Sequence, residues 1–127
     1  MQDTFTYYPG NGFSKNSVAK TQTICLDSRK YNTVAYNIDD NNYFKLRDIA
    51  QILNGTIKTF DVKYDGATNS IDMLSFYDYT SVGGELTPGD DVTRTAFSSS
   101  AFLTLDGVPI KATCYNIDGN NYFKLRD

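Results

Sequence analysis

The chain contains no histidine and no tryptophan, only three prolines and two cysteines, and no long apolar run. Without imidazole its scattered Ser and Asp cannot form a Ser-His-Asp triad, and no side chain titrates near neutral pH in its unperturbed state. Nothing approaches the roughly 20 consecutive apolar residues of a membrane-spanning helix. Met1-Gln2-Asp3 does not open a signal peptide, so a soluble segment is expected, with any leader of a secreted parent removed upstream. A basic cluster is also missing. Twelve Lys and Arg stand against fifteen Asp and Glu, for a net charge of −3. A chain without grouped cations lacks the electrostatic footprint that nucleic acid phosphates demand, so nucleic acid is not an expected partner.

What the chain does have is an internal repeat. The run from Tyr36 to Asp48 returns 79 positions later as Tyr115 to Asp127, with only Asp40 changed, to Gly119. A period of this length implies a small structural unit that stacks or strings along with its neighbours, which favours a scaffold or binding module over an enzyme. The organisation reads as a lead-in over 1–20, a complete repeat over 21–82, a connector over 83–100 and a truncated second repeat over 101–127. Where the first copy continues into Ile49-Ala50-Gln51-Ile52-Leu53, the second stops at Asp127. Residues 101–127 are therefore expected to lean on the first unit, to pair with another chain in a strand-exchanged homodimer, or to stay loose.

Ten Tyr, eight Phe and abundant Asn, Thr and Ser suit a surface-exposed β-rich domain. The lead-in, rich in Gly, Asn and Ser, reads as irregular with partial pairing as an edge, and structure proper begins near Thr21. Thr23 to Leu26, a turn at Asp27-Ser28 and Tyr31 to Ile38 form a hairpin. Its second copy runs from Ala101 to Leu105, turns at Asp106-Gly107 and continues from Val108 to Ile117. Asp-Gly between apolar alternations is a strong hairpin signal, because both turn residues need positive φ. A second turn at Asp39 to Asn42, matched by Asp118 to Asn121, leads into a short strand, Tyr43-Phe44-Lys45. The Asp40 to Gly119 exchange inside it fits a backbone requirement.

From Leu46 the period changes. Leu46, Ile49, Ala50, Ile52 and Leu53 mark one helix face, with Asp48 in the first turn and Asn54-Gly55 as the stop. Thr59 to Tyr64 alternates, turns at Asp65 to Asn69 and returns through Ser70 to Phe76, a further hairpin. The expected fold is α+β: a small antiparallel sheet built from hairpins, one short helix packed on it, then a partial second copy. Its core would draw on Ile24, Leu26, Val34, Tyr36, Ile38, Phe44, Leu46, Ile49, Ile52, Leu53, Phe60, Val62, Ile71 and Met73.

The run Tyr36 to Ala50 and its second copy, with Leu53-Asn54-Gly55, Val62 to Ile71 and Tyr79 to Glu85, resembles the copper amine oxidase N-terminal-like domain, also called the stalk domain. The resemblance covers about Thr21 to Asp127. It implies a non-catalytic stalk of secreted or cell-surface proteins of Gram-positive bacteria, often in tandem, with a small sheet carrying one helix. Copper chemistry does not come with it. An amine oxidase site needs three His ligands and a modifiable Tyr before an acidic residue. This chain has no His, and Tyr43 and Tyr122 are followed by Phe44 and Phe123.

Asn37, Asp39, Asn41 and Asp48 fall at positions 1, 3, 5 and 12 of an EF-hand-like spacing, repeated by Asn116, Asp118, Asn120 and Asp127. Asn at position 1 and Asn42 where Gly should turn the loop argue instead for an Asx-rich β-turn. Asn42, Tyr43, Asn121 and Tyr122 offer aromatic faces and amides to a glycan, unless the tyrosines face the core. Arg47 and Asp48, with Arg126 and Asp127, have no nucleophile beside them and read as a helix-start ion pair or as a hydrogen bond to a neighbouring loop. Cys25 and Cys114 occupy non-equivalent places in the two copies and read as two small buried apolar side chains, with a disulfide between the units as the sharper alternative.

The expected function is an extracellular stalk, spacer or attachment module, without enzymatic activity, metal or cofactor. Its partners would be other domains of the same parent. The alternative is a binding module for cell-wall glycan or a surface protein, with calcium assistance as a further option.

Overall fold

The computed structural model describes residues 14–124. Along the chain come β1 (Ser14–Leu26), β2 (Arg29–Ile38), β3 (Asn41–Lys45), α1 (Leu46–Leu53), β4 (Phe60–Asp65), β5 (Ser70–Ser75), β6 (Thr93–Ser98), β7 (Phe102–Leu105), β8 (Val108–Ile110), β9 (Cys114–Ile117) and β10 (Asn120–Lys124). Four of the connections are two-residue turns, Asp27-Ser28, Asp39-Asp40, Asp106-Gly107 and Asp118-Gly119. All eight of their residues have φ between 49° and 83°. That geometry matches the right-handed twist of the flanking strands, which is why short Asp- and Gly-containing turns occupy these sites.

Six strands close into an antiparallel barrel in the order β1-β2-β3-β10-β9-β6. The closure is organised by the repeat. Where β3 meets β10, Phe44 lies opposite Phe123, its own equivalent 79 positions on. Where β1 meets β6, Asn16 lies opposite Thr95, again its own equivalent. The Ala19–Tyr36 pair of β1 and β2 reappears as Ser98–Tyr115 of β6 and β9. Each copy thus contributes three strands, related by a local two-fold axis through the barrel. Inside lie Ala19, Val34, Tyr36, Ile38, Tyr43, Ala96, Ile117 and Tyr122, with Tyr115 packed against them.

The remaining strands form a second sheet in the order β4-β5-β7-β8. The β4–β5 hairpin belongs to the first copy and the β7–β8 hairpin to the second. They join through a parallel pairing in which Ile71 faces Leu103 and Met73 faces Leu105. Helix α1 buries Asp48, Ala50 and Ile52, and Ala50 enters a second core with Val62, Ile71, Met73, Tyr79 and Leu103. The two copies are therefore interlocked twice, once in the barrel and once in this sheet.

The expectation of an α+β fold with a single small sheet and a packed helix is overturned: the described residues are mostly β, at 56% strand and 7% helix, with a closed six-stranded barrel. Two strand segments account for the difference. Residues 14–20, expected as irregular lead-in with at most edge pairing, are the first half of β1 inside the closed barrel, and residues 93–98, expected as connector, are β6. Both are short of apolar residues because each sends only small side chains inward, Ser17 and Ala19 from one and Ala96 from the other. Pairing them with each other, and β3 with β10, closes what would have been an open sheet. The continuous strand expected from Val108 to Ile117 is also divided, with β8 in the second sheet and β9 in the barrel.

Candidate functional site

The tyrosines singled out for ligand binding lie in the barrel core. Tyr43 and Tyr122 are each 4% exposed. Tyr122 meets Tyr36 edge-to-face with ring centroids 5.0 Å apart, and Tyr43 meets Tyr115 in the same way at 5.1 Å. These two contacts are each other's equivalents about the local axis and hold the two copies together. Burial, and then the neighbouring Tyr36, push the Tyr122 phenol above its ordinary range. Neither ring is available to a ligand.

The asparagines beside them point the other way, as alternation along a strand requires. Asn37 donates to Asn42 at 3.2 Å, and its equivalent Asn116 donates to Asn121 at 3.4 Å. Asn42 is exposed, whereas Asn121 is half-buried at the edge of a cleft. This cleft, of about 240 Å³, lies between the β9–β10 hairpin of the barrel and the second sheet, and is lined among others by Lys45, Arg47, Asn69, Asn116, Asn120 and Asn121. The structure thus brings Asn121 together with groups not foreseen as site residues. Asn69 comes from a turn, where its φ of 51° suits Asn, while Lys45 and Arg47 flank the start of α1. The Asn-rich repeat was the visible signal for half of this lining; the contribution of Asn69 depends on how the second sheet docks.

Of the two expectations for Arg47 and Asp48, the ion pair does not form and the hydrogen bond to a neighbouring loop does, from the Leu86 amide to Asp48. Arg47 donates to the Tyr79 hydroxyl at 3.3 Å, with its guanidinium carbon 5.9 Å from the centre of that ring. Tyr79 in turn donates to Glu85 at 2.6 Å, and Glu85 also accepts from the Val82 and Gly83 amides at 2.7 and 2.8 Å. Burial alone would raise the Glu85 carboxyl, but these hydrogen bonds outweigh it and bring it down to about 2. Burial, helped by Glu85, pushes the Tyr79 phenol up to about 12. Asp48 is fully buried, accepting from the Thr33 hydroxyl and from the Leu86 amide at 2.9 Å, so it ties the helix to the barrel and to the connector.

The EF-hand-like spacing does not assemble as a cation site. Asp39 pairs with Lys15 at 2.8 Å, Asn37 bonds Asn42, and Asp48 is committed to Thr33 and Leu86. Among the described residues no group of three or more Cys, Asp or Glu is placed to hold a metal ion. Cys25 is exposed, Cys114 is buried, and the two are not bonded to each other. The cleft can therefore offer planar amides and two cations to a polar ligand, which is recognition chemistry.

No family model, no curated protein and no solved structure matches this chain.

Proposed function

We propose that the chain is a non-catalytic extracellular stalk segment, a spacer or attachment module of a bacterial surface or secreted protein in which successive repeat copies interlock. The observation that carries this reading is the parallel β5–β7 pairing, by which a hairpin of the second copy completes the sheet of the first. Together with the shared barrel it means that neither copy can yield without disturbing contacts made by both. A spacer benefits from that arrangement, because beads on a string flex at every joint whereas interlocked units hold a fixed spacing. The resemblance to stalk domains supports the extracellular setting. Stretching single molecules by their ends tests the reading. One rupture releasing both copies, at roughly 3.5 Å of extension per residue, is expected; two separate ruptures of about half that length would refute it.

A second reading rests on the cleft. Its amides and cations suit the hydroxyl, amide and carboxyl groups of a cell-wall glycan. Because Tyr43 and Tyr122 are core residues, the informative substitutions are Asn121→Ala and Arg47→Ala. Saturable retention on peptidoglycan that either change abolishes would support recognition; no retention by the unsubstituted chain would remove this reading.

A further inference from the structure

The two equivalent hairpins of this chain share their register and turn but not their surroundings: the first runs unbroken into barrel strands, and the second is divided from them and lies in the other sheet. In the second copy, Leu103, Thr104 and Leu105 of β7 face Ile110, Pro109 and Val108 of β8. In the first, Ile24, Cys25 and Leu26 face Tyr31, Lys30 and Arg29 in the same register. The turn residues match as well, with φ of 49° at Asp27 and 52° at Asp106. The second hairpin is docked. Leu103 is 6% exposed in the second core, Thr104 donates to Asp72 at 2.6 Å, and the Asp106 amide donates to the Met73 carbonyl at 2.9 Å. The Asp106 carboxylate closes the end of β5, accepting from the Ser75 amide at 2.9 Å and from the Ser75 hydroxyl.

The first hairpin keeps the apolar and acidic positions, with Ile24, Leu26 and Asp27 standing for Leu103, Leu105 and Asp106 and Cys25 replacing Thr104, and among the described residues no strand docks on it. Ile24, Leu26 and Tyr31 are half-exposed, Cys25 and Asp27 are exposed, and among the described residues no strand pairs with the free edge of β1 from Gln22 to Leu26. The connector covers that edge only as far as Thr21, through the Ala19–Val92, Asp91–Ala19 and Thr21–Gly89 hydrogen bonds.

We infer that the hairpin from Thr21 to Asn32 is a docking element for the α1–β4–β5 segment of a further repeat unit, whose β5-like strand adds in parallel to the free edge of β1. The inference rests on the interlocking reading above and names its partner. The occupant is a strand of the Ser70–Ser75 type: aliphatic side chains at alternate positions to meet Ile24 and Leu26, and a terminal Ser to be capped by Asp27. Parallel addition at an exposed edge satisfies the backbone groups that the free edge leaves to water, while alternate side chains set the register. Within one chain β5 is already taken by β7, so the partner strand comes from an additional unit.

The test extends the chain with part of its own repeat, in the repeat's register. A second copy of residues 46–92 is placed directly before Ser14, where Val92 stands before Thr93, the equivalent of Ser14. The Cys25 thiol reports docking, since its equivalent Thr104 is buried against β5. Burial pushes the Cys114 thiol up to about 12, so a thiol reagent at neutral pH reads Cys25 alone. In the extended chain, Cys25 labelling is expected to slow roughly tenfold or more, with matching protection of the Thr23 to Leu26 amides from hydrogen exchange. Asp27→Ala, a surface change outside the barrel, is expected to restore much of the lost reactivity. Labelling and exchange rates unchanged from those of the original chain would overturn the inference, whether or not the added segment folds. The single-rupture prediction would survive that outcome, because it depends on the shared barrel and the docked β7–β8 hairpin and not on the first hairpin.

Discussion

Leu103 and Ile24 are the same position in the two copies, one docked and one free, and they should respond very differently to truncation to alanine. Leu103→Ala removes three carbons from a side chain that is 6% exposed and packed among Ile71, Met73, Tyr79 and Ala50. The lost transfer free energy is about 2.4 kcal/mol at ~0.8 kcal/mol per carbon, and the cavity left between two sheet strands and a helix brings the cost to about 3 kcal/mol. Ile24→Ala cuts a half-exposed side chain on a hairpin tip, where the cost should be about 1 kcal/mol or less. Urea unfolding followed by tyrosine fluorescence suits a chain with ten Tyr and no Trp. With a denaturant slope of about 1.5 kcal/mol/M, Leu103→Ala should lower the midpoint by roughly 2 M and Ile24→Ala by well under 1 M. Equal shifts for the two would refute the reasoning, since they would mean either that β7 is not docked or that the first hairpin is covered as well.

Three further outcomes follow from particular contacts. An added Cβ at Gly89 would sit 2.3 Å from the Lys20 carbonyl carbon and 2.7 Å from the Ala19 oxygen. Backbone atoms cannot swing aside, so Gly89→Ala should destabilise by about 2 kcal/mol and expose the Ala19 and Asp91 amides to hydrogen exchange. Asp40 holds a φ of 67° where its equivalent Gly119 holds 83°, and Asp40→Gly should raise stability by about 0.5–1 kcal/mol in the same urea assay. The Glu85 carboxyl is lowered from an ordinary 4.5 to about 2, so its stabilising effect is complete above pH 4.5 and is lost as the pH falls from there to 2. Glu85→Gln should flatten the fall of the urea midpoint across that window.

The hairpins were legible because their turns are dictated by two or three residues each, and so was the helix, whose apolar spacing and Asn54-Gly55 stop are local signals. The β4–β5 hairpin was read correctly for the same reason. Barrel closure was not legible. It depends on β6, where Thr93 to Ser98 shows no strong alternation, and on pairings between segments 79 residues apart. One signal was available: at that offset Ser14, Lys15, Asn16 and Ser17 match Thr93, Arg94, Thr95 and Ala96 in size or charge, so the repeat extends further back than its identical residues. In the candidate site, the pattern Asn-Asn-Tyr-Phe announced one amide face and one core face without saying which ring was inside. Closure decides that, because only a closed barrel buries both Tyr43 and Tyr122. Lys45, Arg47 and Asn69 meet Asn121 through docking of the second sheet, which no local pattern encodes.

The interlocked barrel is tested most directly by cross-strand backbone NOEs in the isotopically labelled chain. Contacts are expected between Phe44 and Phe123 and between Asn16 and Thr95, at the two places where each copy meets its own equivalent. Contacts confined to β1–β2–β3 and to β9–β10, with none between the copies, would contradict it.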